Sequence, residues 1–319
     1  MGNNPKLAVY DAAWYDYSEF WQGREYEHRA EIEVLKKIFC KKRFAEWFID
    51  IGGSYGRLFD TYQRHSKFKV IVDYSMLALK KAKKTFKNRP DVFFVAANVY
   101  NLPFKNNTFE GGIMVRVMHH LEQAQSAIDE IYRVLSSNSY FILEFPNKYH
   151  LKNRIRSLFN KAFSTNLDRK KFEIPSDGSK RGLPPGAKGI FLSYNPKMIL
   201  STLNNSGFVI NKKFGVSFFR SQFVKKTINY NLLSKIDSFI QNFSLLYSMA
   251  PSVFLDSIKI SSRDNTNASK ISDVLVCPKC KKQLTPTKTY LQCTHCNLHF
   301  PIDKGIYDLR FPISKWLKK

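Results

Sequence analysis

Trp47-Phe48-Ile49-Asp50-Ile51-Gly52-Gly53-Ser54-Tyr55-Gly56 reads as a buried strand that runs into a glycine-rich turn and opens a helix. About twenty residues further on, Lys69-Val70-Ile71-Val72-Asp73 repeats the strand pattern and ends in a carboxylate. A nucleoside cofactor can be held between two such elements. Glycines let it approach the backbone, and a carboxylate at a strand end accepts both ribose hydroxyls. An N-cap role for Asp73 is the plainer alternative, although Ser75 serves that purpose equally well.

Working outward, apolar strands alternate with helical stretches. Strands are expected at about 47–51, 69–73, 92–96, 112–115, 140–145, 208–214 and 253–260. Helices are expected at about 31–39, 55–65, 76–86, 123–135, 195–205 and 230–250. This rhythm predicts an α/β fold, a Rossmann-like, mostly parallel seven-stranded sheet with helices on both faces. Ligands of such sheets bind beyond the carboxyl ends of the strands.

Three segments break the rhythm. Residues 8–27 gather Tyr10, Trp14, Tyr15, Tyr17, Phe20, Trp21 and Tyr26, which suits a lid over a cleft or an aromatic anchor. Residues 149–189 hold ten Lys or Arg against three acids and read as an inserted basic cap, or as a plain surface loop. Ser261–Lys270 is polar and reads as a linker. The expected organisation is an N-terminal lid at 1–39 and a main domain at 40–260. A linker at 261–271 and a C-terminal module at 272–311 follow.

The chain has 319 residues and a formal net charge of +25, from 51 Lys+Arg against 26 Asp+Glu. That excess suits an anionic partner such as RNA or a membrane surface, or it reflects lysine scattered over solvated faces. No apolar run reaches the roughly 18–20 residues of a membrane-spanning helix. The polar start at Met1–Lys6, with Asp11, Asp16 and Glu19 close behind, has no secretory pattern, so a cytoplasmic protein is expected. Cys40 reads as a small apolar filler at a helix end.

Cys277-Pro278-Lys279-Cys280 and Cys293-Thr294-His295-Cys296 stand twelve residues apart. Two such knuckles supply four thiolates, the tetrahedral set preferred by structural zinc. A segment this short has almost no core of its own, so the ion would supply much of its folding energy. The site is closed, which makes the zinc structural rather than catalytic.

The ordered set of motifs resembles class I S-adenosylmethionine-dependent methyltransferases of the type 11 group, over about residues 40–146. The resemblance rests on Asp50-Ile51-Gly52-Gly53-Ser54-Tyr55-Gly56, Val72-Asp73-Tyr74-Ser75 and Asn98 through Asn101-Leu102-Pro103-Phe104. Phe109-Glu110, His119-His120-Leu121 and Glu130-Ile131-Tyr132-Arg133-Val134-Leu135 complete it. It implies a cofactor site of Asp50, Gly52, Gly53, Gly56, Asp73, Tyr74, Asn98, Val99 and Arg116, with Asp73 on the ribose and Asn98 at the adenine. Asn98 replaces the family's usual Asp, Glu110 replaces another, and Gly52-Gly53 are adjacent where one residue ordinarily separates the glycines. A nicotinamide dinucleotide is the alternative cofactor, but the Gly-x-Gly-x-x-Gly spacing is missing. Methyl transfer from a sulfonium needs mainly alignment and exclusion of water. His119, His120 and Asn147 are the candidates for orienting or deprotonating an acceptor.

Residues 272–311 resemble the Trm112-like zinc-ribbon family, on Leu275-Val276-Cys277-Pro278-Lys279-Cys280-Lys281, Leu291-Gln292-Cys293 and Phe300 through Leu309. That resemblance implies a built-in stabilising module packed on the methyltransferase core. The expected acceptor is a small molecule or lipid. RNA or a translation-associated protein is the alternative.

Overall fold

The computed structural model describes residues 11, 18–159, 176–177, 190–261 and 268–312. Tyr10, Trp14, Tyr15 and Tyr17 of the expected lid, most of the basic insert and the middle of the linker lie outside them. In chain order the first elements are α1 (Glu25–Phe39), β1 (Ala45–Ile51), α2 (Phe59–Tyr62), β2 (Ser66–Asp73), α3 (Met76–Thr85) and β3 (Val92–Ala96). Next come β4 (Phe109–Met114), α4 (Ala124–Val134), β5 (Leu135–Pro146), α5 (Leu151–Phe159), β6 (Ser176–Asp177), β7 (Leu192–Ser193) and α6 (Pro196–Asn205). Then follow β8 (Phe208–Val216), α7 (Gln222–Thr227), α8 (Tyr230–Ile240), β9 (Ser252–Lys259) and α9 (Ile271–Val274). The last strands are β10 (Thr285–Pro286), β11 (Tyr290–Cys293), β12 (Leu298–Asp303) and β13 (Ile306–Asp308). No helix among the described residues is long and apolar enough to cross a membrane.

The chain divides into two compact units, interleaved along the sequence. One comprises residues 43–113, 125–141 and 258–319. Its strands lie in the order β10-β11-β12-β13-β3-β2-β1-β4-β5. β1 pairs in parallel with β2, and β2 with β3, in a register that aligns Ile51 with Val72 and Asp73 with Ala96. The carboxyl ends of all three strands therefore share one edge. Phe48, Ile49, Val70, Ile71 and Phe94 are fully buried, as continuous apolar runs in a sheet covered on both faces require.

The expected count of seven strands is exceeded, because the C-terminal module continues the sheet. β13 adds in parallel to β3, with Ile306 opposite Phe94 and Asp308 opposite Ala96, while β10–β13 are mutually antiparallel. The sheet is therefore mixed. The physical reason is the edge: Val92-Phe93-Phe94-Val95-Ala96 is apolar throughout, and an uncovered apolar edge strand invites aggregation.

The helix expected at 55–65 shrinks to the single turn of α2. Gly56 takes φ +83° and Ser54 φ +51°, both left-handed, so the chain cannot become helical until it has rounded the turn. Elsewhere the capping chemistry fixes the starts. Ser75 Oγ accepts from Ala78 N to open α3, and Asn195 Oδ1 accepts from Lys197 N with Pro196 in the first position of α6.

The other unit comprises residues 1–42, 114–124 and 142–257. There β5, β9 and β8 are neighbours, and α1 packs on α8. Val34, Leu35, Ile38 and Leu233 are buried, and Trp21 and Tyr26 are buried with them. Cys40 caps α1 as an exposed residue whose Sγ lies 3.2 Å from Lys37 O, so it fills no core.

Candidate functional site

The turn after β1 is built from two close approaches. A Cβ on Gly53 would stand 2.7 Å from Asp50 Oδ2 and 2.9 Å from Ile71 Cγ2. Gly53 must therefore be a glycine because Asp50 is folded beneath it. Asp50 is buried, and its Oδ2 accepts from the Tyr62 hydroxyl at 2.7 Å. Burial raises its pKa to about 7, against the lowering effect of the Tyr62 hydrogen bond. Asp50 thus supports the turn from below. Gly52 N and Gly53 N both donate to Val72 O, at 2.7 and 3.1 Å, and tie the turn to β2.

Gly56 combines φ +83° with a phantom Cβ only 2.4 Å from Phe86 Cε2. Gly56→Ala is expected to destabilise the protein by roughly 2–4 kcal/mol, from left-handed strain plus overpacking. Gly23 is the control, since its φ is +71° but nothing lies within 4 Å of its Cβ position. Thermal melts should show Gly56→Ala falling much further than Gly23→Ala, with cofactor affinity reduced only in the former.

Asp73 closes the cradle. Its Oδ2 accepts from Ser54 N at 2.9 Å and its Oδ1 from Ser75 N at 2.8 Å. These bonds fix the carboxylate at the carboxyl end of β2, the position from which an acid can accept from a ribose diol. Asn98 stands at the equivalent end of β3. Its Oδ1 accepts from Tyr100 N at 3.0 Å and caps a short turn over Val99–Asn101. The second lone pair of that oxygen suits an amino donor. Val99 is buried beside it.

Tyr74 is held by a residue that sequence reasoning missed. Arg310, just beyond β13, donates from Nη1 to Tyr74 O at 2.8 Å, and its own fork is filled by Asp308 at 2.9 and 2.8 Å. Phe311 packs edge-on against the Tyr74 ring. The C-terminal module therefore grips the residue next to Asp73. The signal lay in Asp308-Leu309-Arg310, whose distant partner no spacing reveals.

The remaining candidates belong to the other unit. Arg116 has φ +62°, donates its backbone N–H to Glu144 Oε2 at 2.9 Å, and pairs through its guanidinium with buried Glu31. Asn147 is buried, donates to Ser248 O and Ala250 O at 2.9 and 2.8 Å, and accepts from Tyr149 N at 2.8 Å. Its amide is occupied with shaping this loop, which speaks against a direct chemical role.

His119 and His120 are buried in a short turn over Met118–His120, their rings 3.9 Å apart, with Phe191 against both. Burial drives His119 well below the usual imidazole range, helped by His120 and Arg116. Burial pushes His120 down to about 4, although its bond to Ile190 O opposes this. His150 is likewise pushed to about 4, by burial and by Arg220. All three are neutral near pH 7, the state in which an imidazole accepts a proton. Because their folded pKa values lie below 6.5, their contribution to stability is complete above pH 6.5. It is lost as pH falls toward 4. Denaturant midpoints are expected to change little from pH 7 to 8 and to drop between pH 6.5 and 4, where protonation of the three histidines outweighs the opposing protonation of Asp50. His120→Asn should shallow that slope by about one proton.

The cysteine module is the second candidate centre. The Sγ atoms of Cys277, Cys280, Cys293 and Cys296 all lie within 4.8 Å of one another, and Cys280 and Cys293 approach to 3.5 Å. Four sulfurs at about 2.3 Å from one zinc ion sit roughly 3.8 Å apart, so the set fits. Both knuckles turn alike: Lys281 and Asn297, each following a second cysteine, take φ +58° and +50°. Lys281 Nζ reaches Glu130 Oε1 at 2.9 Å and Leu102 O at 3.1 Å. Val276 N donates to Pro103 O, and Lys105 N to Val274 O, both at 2.9 Å. The Leu102-Pro103-Phe104 motif is thus the seat of the cysteine module.

Comparison with known proteins agrees with this architecture. A methyltransferase domain family matches residues 49–143, and the Trm112p-like protein family matches residues 269–305. An uncharacterised protein of Methanocaldococcus jannaschii is 33% identical over 148 residues, 46% of this chain and 60% of that protein. The chain therefore spans only 60% of that curated relative's length. A structure from Listeria monocytogenes, described as an S-adenosylmethionine-dependent methyltransferase, superposes with a TM-score of 0.51 at 16% identity, covering 73% of this chain and 98% of that one. A chain from the complex of the Haloferax volcanii Trm112 methyltransferase activator with a methyltransferase gives 0.50 at 10% identity, covering 78% and 98%. These two likenesses establish a shared fold. With the glycine turn, the strand-end carboxylate and the four-cysteine cluster in one molecule, the chain carries a methyltransferase domain over residues 49–143 and a Trm112p-like domain over residues 269–305.

Proposed function

We propose that the protein is a cytoplasmic S-adenosylmethionine-dependent methyltransferase with a structural zinc ion in its C-terminal module. Its acceptor is a small molecule or lipid. The carrying observation is Asp73, fixed by Ser54 N and Ser75 N at the end of β2 beside the Gly52–Gly56 turn. That arrangement suits the ribose of the cofactor, and the turn suits its amino-acid end. When bound, the sulfonium supplies an already activated methyl group, so the protein has to orient the acceptor and exclude water.

α5 favours a lipid-like acceptor. Leu151, Ile155, Leu158 and Phe159 recur at helical spacing, and all four are exposed, Leu158 at 79% and Phe159 at 85%. Lys152, Arg154 and Arg156 share the helix, which contains no acid. An apolar stripe bordered by cations suits the surface of an anionic membrane. The second reading, methylation of RNA or a translation-associated protein, draws on the net charge of +25 and on the Trm112p-like domain.

The test is calorimetry with S-adenosylmethionine on zinc-assayed protein, followed by sedimentation with anionic phospholipid vesicles and with bulk tRNA. Micromolar cofactor binding with vesicle but not tRNA association supports the lipid reading. Binding to tRNA alone favours the second reading. Absence of cofactor binding at full zinc occupancy overturns both.

A further inference from the structure

The chain shows what its arginines do with the side-on edge formed by Nε and Nη2. Arg89 turns that edge on Asp91, both bonds at 2.9 Å, and Arg133 turns it on Glu130, both at 2.7 Å. Arg310 gives it to Asp308, and Arg116 to Glu31. In these four a carboxylate fills the fork, whereas Arg154, an exposed residue of α5, gives the same edge to Tyr149 O and Ser248 O at 2.6 and 3.2 Å. Arg220 differs: its Nε and Nη2 are both buried and neither has a hydrogen-bond partner. A buried guanidinium edge without an acceptor costs several kcal/mol, so such an arrangement persists where a ligand completes it.

The backbone leading to Arg220 is built to hold it there. Asp237, buried in α8, accepts from Ser217 N at 3.3 Å and from Phe218 N at 2.8 Å. Tyr26 donates to the same carboxylate at 2.5 Å and accepts from Phe219 N at 2.9 Å. Three successive N–H groups are thus pinned, and Ser217 is held at φ +63°. Strain of this kind is retained at ligand sites.

We propose that the Nε/Nη2 edge of Arg220 binds a carboxylate group of the methyl acceptor; only the word acceptor rests on the methyltransferase reading above. A planar carboxylate matches the fork, as those four arginines show. Local charge favours a monoanion over a dianionic phosphate. The charged groups around Arg220 are Arg116, Glu27, Glu31 and Glu144, with Lys225 bonded to Glu27. Formal charges of Arg116, Arg220 and Lys225 match those of the three glutamates. Glu31 is taken by Arg116, and Glu144 by Arg116 N and Ser252 Oγ. Glu27 Oε1 is taken by Lys225 at 2.9 Å, while its Oε2 is buried without a partner, which makes Glu27 the internal competitor.

The experiment is side-chain NMR of the full, zinc-loaded chain labelled with 15N-arginine, titrated with benzoate, acetate and inorganic phosphate. The Arg220 Nε–H signal is identified by its loss in Arg220→Lys. It is expected to shift saturably with the two carboxylates and much less with phosphate. Arg220→Lys should weaken benzoate binding, read by calorimetry, by about tenfold or more, because a point charge does not replace the fork. S-adenosylhomocysteine affinity should stay within about twofold, since its carboxylate is not the ligand. Should Arg220→Lys fail to fold, Arg220→Gln identifies the signal in its place and the wild-type titration decides. A signal unmoved by carboxylates overturns the proposal, as does one that only Glu27→Gln moves, which would reveal an Arg220–Glu27 pair. A parallel loss of S-adenosylhomocysteine affinity would assign the fork to the cofactor and overturn it too. Benzoate binding without any cofactor binding would sink the methyltransferase reading and leave this one standing.

Discussion

Cys293→Ser is expected to abolish zinc binding, lower the melting temperature by more than about 10 °C and weaken S-adenosylhomocysteine binding at least tenfold. Cys293 is buried, and the module around it has a small core of Leu284, Leu291, Phe300, Ile306 and Leu309. Structural zinc contributes roughly 10–16 kcal/mol of apparent binding energy in modules this small, more than such a core provides alone. Losing the metal should therefore unfold β10–β13 together. The damage then passes to the cofactor cradle by two contacts. β3 loses the backbone ladder to Ile306–Asp308, and the apolar edge of Val92–Ala96 is left uncovered. Tyr74 loses the Arg310 clamp beside Asp73. Metal analysis, melting curves and calorimetry on the same preparation check each step. Arg310→Ala separates the two routes. It should keep its zinc and most of its melting temperature while losing several-fold in cofactor affinity. A Cys293→Ser protein that melts and binds as the wild type does would reduce the module to a spacer.

How much of this is legible in the sequence depends on the range of the interaction. β1 and β2 were legible as buried strands, because apolar runs bounded by Gly52 and Asp73 are local signals. The four cysteines were legible because zinc ligation imposes its own spacing. α2 was overread: the apolar pattern of 55–65 suits a helix, but left-handed Ser54 and Gly56 delay it, and no side-chain pattern reports backbone φ. The union of β13 with β3 was illegible. Ile306-Tyr307-Asp308 is only three residues long, and its partner lies some two hundred residues earlier.

Among the site residues the same rule holds. The position of Asn147 at the end of β5 was readable, yet its partners Ser248 and Ala250 lie about a hundred residues on, and they decide that it shapes a loop. Arg116 is implied as a cofactor contact by the motif, whereas its guanidinium is paired with Glu31 in α1. Arg220 carried no sequence signal at all. Only the three pinned N–H groups before it, and the missing acceptor on its fork, single it out. Polar residues whose task is set by distant partners are therefore the ones that sequence misassigns, in either direction.

Asp73→Asn is the sharpest test of the cradle. An ionised carboxylate can accept two charge-assisted hydrogen bonds from a ribose diol, each worth about 1.5–3 kcal/mol. The amide keeps one oxygen and turns an acceptor into a donor, aimed at either Ser54 N or Ser75 N. Losing roughly 3 kcal/mol corresponds to a fall in cofactor affinity of about 100-fold or more. Turn damage alone would also weaken binding, so the ligand has to be varied with the protein. Removing the ribose hydroxyls from S-adenosylhomocysteine should cost the wild type most of its affinity and the Asp73→Asn variant almost nothing further. That non-additivity belongs to a direct contact, because partners that touch do not contribute independently. If both changes instead add in full, Asp73 only caps the turn and α3, and the ribose lies elsewhere. Asp50→Asn supplies the contrast from beneath the same turn. Its carboxyl titrates near pH 7 in the fold against 3.8 unfolded, so ionisation opposes folding increasingly from pH 4 upward and fully above 7. The amide should therefore raise the melting temperature at pH 8 more than at pH 4, whereas Asp73→Asn should lower affinity at both.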